Sequence, residues 1–227
     1  MDTTRTSAAA HHNAAHDNAA WCDAMCRVHG TPGGFAADAW TSPARTPVYY
    51  PDAVTLAPGA DAASVLARID SGAGASVKDS FADLDLRPFG FEVLFEARWI
   101  HRPAGPAAAA WREVADPEAL REWARAWDGG EGNAEVFRPA LLDLPGVHLI
   151  AGEPDASAGA VLTRTGPVVG VSNVFAARGD GWPAALAAAH DLYPGVPVVG
   201  YEHGDGLAAA ERHGFAPVGP LRVWLRA

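Results

Sequence analysis

Residues 174–190, VFAARGDGWPAALAAAH, combine an apolar strand, a turn with two glycines and an alanine-rich helix. Glycine lets a backbone approach a ligand closely, and the first turn of a helix presents free N–H groups and the positive end of its dipole. The segment therefore predicts a site for a phosphate-like anion. A plain tight turn is the alternative, in which Asp180 caps the helix and Pro183 lies in its first turn.

A second set of polar side chains follows the apolar strand VPVVGY. Glu202 has the chemistry of a general base that deprotonates an amine directly or through a water, and Tyr201 or His203 could donate a proton. The structural alternatives are ordinary: Tyr201 packs half-buried, Glu202 is solvated, and His203 starts a helix. The segment is thus a candidate catalytic site and not yet an assignment.

Two further polar groups interrupt apolar segments. Ser172 and Asn173 lie within a strand pattern, where they could orient substrate or coenzyme, form a bulge or face outward. Lys78, Asp79 and Ser80 could line an acceptor pocket, although a solvated turn is favoured because charged residues are mostly exposed. Aromatic residues could also form the wall of a pocket for an apolar or cationic acceptor, although core packing is favoured for most of them. They are Trp40, Tyr49, Tyr50, Trp99 and Trp111.

A helical pattern over residues 18–29 places Cys22, Cys26 and His29 on one face. These residues, with His11, His12 and His16 upstream, could hold a metal ion. The paired spacing of a structural zinc site is absent, so a stripe of buried thiols is favoured and we predict no metal site. The motif G-x-S-x-G is also absent, which argues against a serine hydrolase of that type.

The composition excludes several classes of protein. The chain of 227 residues is 49% hydrophobic, with a formal net charge of −10 and a pI of about 5.2. It has no cationic stripe, so we expect no nucleic-acid partner. It has no apolar run long enough to span a bilayer and no secretory signal, so we expect no membrane association. Two cysteines four residues apart suggest a reduced, cytoplasmic protein.

The order of predicted elements divides the chain into three parts. Residues 1–17 read as a polar, disordered tail, and residues 18–88 as a helical and irregular N-terminal segment. Residues 89–227 are more regular, with the order strand, two helices, three strands, helix, strand, helix, strand. The clearest helix is DPEALREWARAW, with Asp116 as its N-cap. The boundary near residue 88 is a change in regularity and not a flexible linker.

This order, with the segments GVSNVFAARGDG and AAAERHGF, resembles the GNAT superfamily of acyl-CoA-dependent N-acyltransferases. The resemblance covers residues 89–227, and Arg178 and Gly181 match the first two fixed positions of the family's phosphate-binding signature. It implies an α/β (α+β) fold with a mixed, mostly antiparallel sheet flanked by helices, here with an N-terminal extension. It also implies that coenzyme A contacts the strand and turn at Val174, Phe175, Ala176, Arg178, Gly179, Asp180, Gly181 and Trp182.

The sequence departs from the family pattern at several positions. Pro183 replaces the last small residue of the signature and has no N–H, and Asp180 adds a negative charge to an anion site. Ala210 stands where many members have a tyrosine acid, and His203 where many have an asparagine. The implied function is transfer of an acetyl group from acetyl-CoA to an amine of a small molecule or peptide. A catalytically degenerate binding module is the alternative, and a homodimer is left open.

Overall fold

The structure is a computed structural model that describes residues 3–154 and 156–227. Its helices are α1 (Thr3–Val28), α2 (Ala62–Leu66), α3 (Pro117–Asp128), α4 (Trp182–Leu192) and α5 (Gly204–Arg212). Its strands are β1 (Gly34–Phe35), β2 (Ala39–Thr41), β3 (Ala53–Thr55), β4 (Ser76–Asp79), β5 (Phe91–Arg102), β6 (Trp111–Glu113), β7 (Val147–Gly152), β8 (Ala158–Thr165), β9 (Val168–Ala176), β10 (Val198–Glu202) and β11 (Ala216–Arg226).

Within the described ranges, the strands form one sheet in the order β1-β2-β3-β4-β11-β5-β10-β9-β8-β7-β6. Two neighbouring pairs are parallel, β3 with β4 and β9 with β10, and the other pairs are antiparallel. The predicted mixed, mostly antiparallel sheet is therefore confirmed. Strands from both sides of residue 88 join this sheet through the pairing of β4 with β11.

The strand β5 lies in the middle of the sheet, between β10 and β11. The strand that pairs with β7 is β6, a three-residue strand that the sequence analysis did not predict. Three residues are too few for a period-two pattern to be recognised in a sequence.

The prediction of a disordered tail over residues 1–17 is wrong, because the helix α1 of 26 residues begins at Thr3. Residues 1–2 lie outside the described part of the chain. Ala10, Ala14 and Ala15 are buried in this helix, which packs across β5 and β8–β11. Alanine is the best helix former, but a stripe of alanines among polar residues gives almost no hydrophobic signal. The sequence pattern therefore underestimated how far the helix extends.

Polar residues of α1 are buried against the sheet because each has a partner there. Nε2 of His11 donates to the carbonyl oxygen of Ser80 at 2.6 Å, and Oδ2 of Asp17 accepts from Oγ1 of Thr163 at 2.8 Å. A side chain at Gly170 would overlap the Asp17 carboxylate, so this glycine is needed for the close approach of α1. Paired in this way, polar groups tolerate burial.

The two faces of the sheet carry separate cores, because successive side chains of a strand point to opposite faces. Leu149 and Val161 pack with Trp123 of α3 and with residues of α1. Ile150 and Leu162 pack with α4 and α5 on the other face. The sheet is therefore flanked by helices on both sides, as predicted.

The helix α3 confirms its predicted boundaries. Oδ1 of Asp116 accepts hydrogen bonds from the N–H groups of Glu118 and Ala119, each at 2.9 Å, and Gly129 ends the helix with φ +62°. The short helix predicted over FRPALLDLPG is a 3-10 turn at Pro139–Asp143. Among the described helices, none has the length and hydropathy needed to span a bilayer.

Candidate functional site

The strands β9 and β10 begin side by side and then separate. Pairing joins residues 169–170 to residues 198–199, after which β9 continues to Ala176 and β10 to Glu202 without a shared ladder. Beyond residue 171, β9 pairs only with β8, so its other edge faces an opening in the sheet. Unpaired backbone groups on such an edge can bind an extended ligand.

A cavity of about 290 Å³, here called the polar cavity, lies at this opening. Its walls come from α1, from residues 49–50 and from the separating ends of β9 and β10. The predicted residues Tyr201, Glu202 and His203 all line it. So do Val171, Ser172, Asn173 and Val174, together with Asn18, Trp21, Cys22, Tyr49, Tyr50, Lys78 and Phe95.

The carboxyl group of Glu202 is the acidic group of this cavity. Burial raises its pKa to about 7, an effect partly offset by a hydrogen bond from the backbone of His203. Gly206, in the first turn of α5, approaches so closely that a side chain there would overlap Oε2 of Glu202. A carboxyl group with a pKa near neutrality can accept and return a proton under physiological conditions.

The ring of Tyr201 is held by two contacts. The Trp99 ring packs against it edge-on with centroids 5.6 Å apart, and Nζ of Lys78 lies 4.4 Å from its centroid. Trp99 is itself fixed by a hydrogen bond from Nε1 to the carbonyl oxygen of Ser80, at 2.9 Å. His203 is exposed and stacks on Phe95, with ring centroids 5.0 Å apart.

Lys78 was expected in a solvated turn, and that expectation is wrong. Its side chain is only 5% exposed, and Nζ donates to Oδ1 of Asn18 at 2.7 Å. The neighbouring Asp79 and Ser80 are also buried, and Asp79 accepts a hydrogen bond from the N–H of Leu84 at 3.0 Å. Of the three, Lys78 lines the cavity, and Asp79, the next residue of β4, points to the opposite face of the sheet.

Tyr50 contributes a buried hydroxyl that sequence reasoning did not assign. The side chain is 8% exposed, and its oxygen makes no hydrogen bond of good geometry with a described residue, although Asn173 and Trp21 lie close to it. Burial raises the pKa of Tyr50 well above 10, so the hydroxyl stays protonated. A buried donor without a partner is costly, and a ligand in the cavity can satisfy it.

A second cavity of about 620 Å³, here called the apolar cavity, adjoins the first. The two share Tyr49, Tyr50, Lys78, Phe95 and Tyr201. The apolar walls of the second come from Pro47, Val48, Pro51, Leu94, Val223 and Leu225. The N-terminal segment therefore builds part of a cleft, and Tyr49 and Tyr50 are the two of the five predicted wall aromatics that line it.

Asn173 marks an irregularity in β9. Its φ is +52°, and the pairing with β8 shifts between Ser172 and Phe175, so that two residues of β9 face one of β8. This is a β-bulge, one of the interpretations that the sequence left open. It lies where β9 lines the cavity.

The turn after β9 requires both of its glycines. Gly179 has φ +79°, a conformation that favours glycine. A Cβ at Gly181 would lie 2.5 Å from the carbonyl oxygen of Phe175, so the turn folds tightly against the strand. The N–H groups of Arg178, Gly179 and Gly181 donate to no acceptor in the described part of the chain. These groups are available to an anion.

The start of α4 offers fewer donors than the signature predicts. The N–H of Trp182 donates to Oδ1 of Asp180 at 3.0 Å, and Pro183 has no N–H. Although burial alone would raise the pKa of Asp180, bonds from His213 and from the Trp182 N–H hold it below its usual range. The Trp182 ring is buried against Phe215, 4.8 Å away, so it belongs to the core and does not block the turn.

The remaining predicted coenzyme contacts lie along β9. Val174 lines the polar cavity, and Ala176 pairs with Ala158 at the end of the strand. Phe175 is half-buried, with its ring 5.2 Å from that of Trp123.

The cysteines of α1 lie in the core. Cys22 and Cys26 are buried free thiols, and burial raises their pKa to about 11 and about 12. Nε2 of His29 donates to the carbonyl oxygen of Val136 at 2.8 Å instead of facing the thiols. In residues 3–154 and 156–227, no group of three or more potential ligands is arranged to hold a metal ion.

No protein-family model and no curated protein matches the sequence. Solved structures do match the fold. A GCN5-related N-acetyltransferase from Kribbella flavida has a TM-score of 0.62 at 20% identity, over 94% of this chain and 95% of its own. A protein from Novosphingobium aromaticivorans assigned to the GNAT family of acetyltransferases has a TM-score of 0.58 at 14% identity, over 94% of this chain and 99% of its own.

The chain has the fold of the GNAT acetyltransferases. The structural likeness spans 94% of the chain, whereas the sequence resemblance covered residues 89–227. The N-terminal segment is therefore part of the shared fold. A protein described as functionally unknown, from Staphylococcus epidermidis, also matches over 69% of this chain, with a TM-score of 0.54 at 10% identity.

Proposed function

We propose that this protein is an acyl-CoA-dependent N-acyltransferase that transfers an acetyl group from acetyl-CoA to an amine. The observation that carries the proposal is the opening between β9 and β10, where the Glu202 carboxyl group faces an unpaired strand edge. Fold likeness alone does not assign an activity, whereas this site supplies the groups that the reaction needs. The two buried free thiols suit a reducing compartment, and we propose the cytoplasm.

The turn after β9 would bind the diphosphate of coenzyme A. Support comes from the N–H groups of Arg178, Gly179 and Gly181, which have no acceptor among the described residues, and from the exposed Arg178 side chain. The amide edge of β9 would pair with the pantetheine arm, which directs the thioester into the polar cavity. Asp180 opposes the diphosphate, so the affinity should be lower than a neutral turn would give.

Glu202 would act as the general base. Its carboxylate takes a proton from the acceptor's ammonium or amine, the nitrogen then forms a bond to the thioester carbonyl carbon, and the carbon–sulfur bond breaks. The products are an amide and the coenzyme thiolate, which takes up a proton. Both reactants are held in one cavity, so positioning contributes much of the rate.

Two hydroxyl groups are available to protonate the thiolate, those of Tyr201 and Tyr50. Position 210, where the family's tyrosine is often found, is occupied by a fully buried alanine in the core beneath α5. Tyr50 is the better supported donor because its hydroxyl is protonated, buried and without a partner among the described residues. Its place in the N-terminal segment would explain how the protein works without the tyrosine of α5.

The alternative, a binding module without chemistry, predicts a turn filled by Trp182 or Asp180. Asp180 does occupy one amide, but the Trp182 ring is in the core and the cavity between the strands is open. The open cavity with Glu202 in its wall supports the enzymatic alternative. The enzymatic reading is therefore the one we adopt.

Calorimetric titration with acetyl-CoA tests the proposal. Saturable binding is expected for the native protein, and Arg178→Ala should weaken it by about tenfold, as for loss of one charged phosphate contact. Arg121→Ala, at an exposed position of α3, is the matched control and should bind normally. If titration with millimolar acetyl-CoA gives no heat of binding, the proposal is wrong.

A further inference from the structure

Lys78 is the single lysine of the chain, whose other 16 basic residues are arginines. Arginines form the ion pairs at the surface of this protein, as Arg27, Arg87 and Arg222 do with carboxylates. The lysine stands apart from them in position as well as in type, because it is buried at the boundary between the two cavities. A compact ammonium group at the end of a slim chain suits such a site better than a guanidinium group.

The ammonium group of this lysine forms no ion pair with a described residue, and the carboxyl group that shares its cavity is that of Glu202. No carboxylate of the described residues lies within 4.0 Å of Nζ, whose contacts are the neutral Asn18 and the ring of Tyr201. The other titratable groups that face it from α1 and from residue 50, Cys22 and Tyr50, are neutral because burial raises the pKa of each. An ammonium group has three donors, and Asn18 uses one of them.

A buried cation without a partner is stabilised when a ligand supplies the negative charge. The two cavities define the rest of that ligand. The polar cavity has Glu202, and the apolar cavity has the aliphatic side chains of Val48, Leu94, Val223 and Leu225. Lys78 lies between them and lines both.

We infer that the acceptor is an amino carboxylate with an apolar side chain, such as an apolar α-amino acid. Its carboxylate binds Nζ of Lys78, its amine faces Glu202, and its side chain occupies the apolar cavity. This inference rests on the proposed function, since it names the acceptor of the same reaction. The acceptor carboxylate is favoured over one on the acyl donor, because the apolar cavity is built by β4, β5, β11 and residues 45–51 and not by the turn after β9.

Pairs of amines that differ only in the carboxylate test the inference. L-phenylalanine is compared with 2-phenylethylamine, and L-leucine with 3-methylbutylamine, with acetyl-CoA as donor. The native protein should favour the amino acid of each pair by about 100-fold in kcat/KM, the effect expected for one buried charge pair. Lys78→Met should reduce this ratio to about 1, Lys78→Arg should retain part of it, and Arg121→Met should leave it unchanged.

A comparison of two acyl donors shows whether the carboxylate that Lys78 binds belongs to the acceptor or to the acyl donor. One outcome is that the native protein uses succinyl-CoA better than acetyl-CoA and that Lys78→Met abolishes that preference. In that case Lys78 binds the carboxylate of the acyl donor, and the inference is wrong. Equal rates within each amine pair would also overturn it, while leaving an acyltransferase in place. The comparison within each amine pair uses the native protein alone, so its result does not depend on the folding of a variant.

Binding without catalysis distinguishes this inference from the proposed function. Calorimetric titration of the free protein with L-phenylalanine should give saturable heat that 2-phenylethylamine does not, and Lys78→Met should abolish the difference. If acetyl-CoA fails to bind but the phenylalanine difference persists, the carboxylate site stands and the transfer reaction is lost. If the two compounds bind alike, the carboxylate site is refuted whatever the coenzyme does.

Discussion

The carboxylate of Asp180 lies 2.6 Å from Nε2 of His213 and so joins the turn after β9 to the end of α5. Its other oxygen accepts the N–H of Trp182 at 3.0 Å. Asp180 therefore stabilises the start of α4 while its charge opposes an anion at the same turn. These two effects can be separated by substitution.

We expect Asp180→Asn to tighten acetyl-CoA binding by about threefold, because it removes a like charge at a partly exposed site and keeps an oxygen for the Trp182 N–H. Asp180→Ala also removes the acceptor of the Trp182 N–H and the contact with His213, and should lower the free energy of unfolding by about 1 kcal/mol. Calorimetry and urea unfolding measure the two effects. Unchanged or weaker binding by Asp180→Asn would place the diphosphate elsewhere.

The activity should rise with pH as Glu202 loses its proton. The pKa of Glu202 is raised to about 7, and the carboxylate is the form that accepts a proton, so kcat/KM should increase through pH 7 and then level off. Glu202→Gln should lower kcat/KM by about 100-fold and remove this rise. The measurement is a pH profile of thiol release. A profile that falls between pH 6 and 8 would contradict the role of base.

Gly206 controls the space around the Glu202 carboxylate. Gly206→Ala places a Cβ where Oε2 now lies, so the carboxylate must move. Since small misplacements of a catalytic group are costly, kcat should fall by about tenfold or more. Gly34→Ala is the matched control, because a Cβ there meets nothing within 4 Å. Equal activity of both variants would show that the position of Glu202 is not critical.

The two candidate proton donors differ in burial. We expect Tyr50→Phe to lower kcat by about 10- to 100-fold, and Tyr201→Phe to have a smaller effect. Removing a hydroxyl that has no partner among the described residues should not lower stability, so thermal unfolding of Tyr50→Phe should match the native protein. If Tyr201→Phe lowers kcat more than Tyr50→Phe does, the proton comes from the hydroxyl of Tyr201 on β10.

Asp17 should make stability depend on pH. Burial raises its pKa from 3.8 to about 7, an effect that hydrogen bonds from Thr163 and others reduce in part. Between these values the folded state holds a proton that the unfolded state has lost, so the free energy of unfolding falls as pH rises from about 4 to about 7. Asp17→Asn cannot titrate and should show a smaller fall. Urea unfolding at pH 5 and pH 8 checks the difference in slope.

The sequence alone indicated much of the region after residue 88. The cap at Asp116 and the strand–turn–helix around Gly181 are local patterns, because hydrogen bonds between near neighbours and the backbone freedom of glycine determine them. The sequence also predicted that Glu202 lies at the end of an apolar strand, which is β10 in the structure. These are the features that a short segment encodes by itself.

The tertiary structure decided what the N-terminal segment does. Asp17 and Lys78 were expected in solvent, because charged residues usually lie there, yet both are buried by contacts with residues far away in the chain. The single signal in the sequence was that Lys78 is its one lysine. Only the packing of α1 and β4 against the sheet brings this ammonium group, the Tyr50 hydroxyl and Glu202 to one cleft, because such long-range contacts depend on the whole fold and not on local pattern.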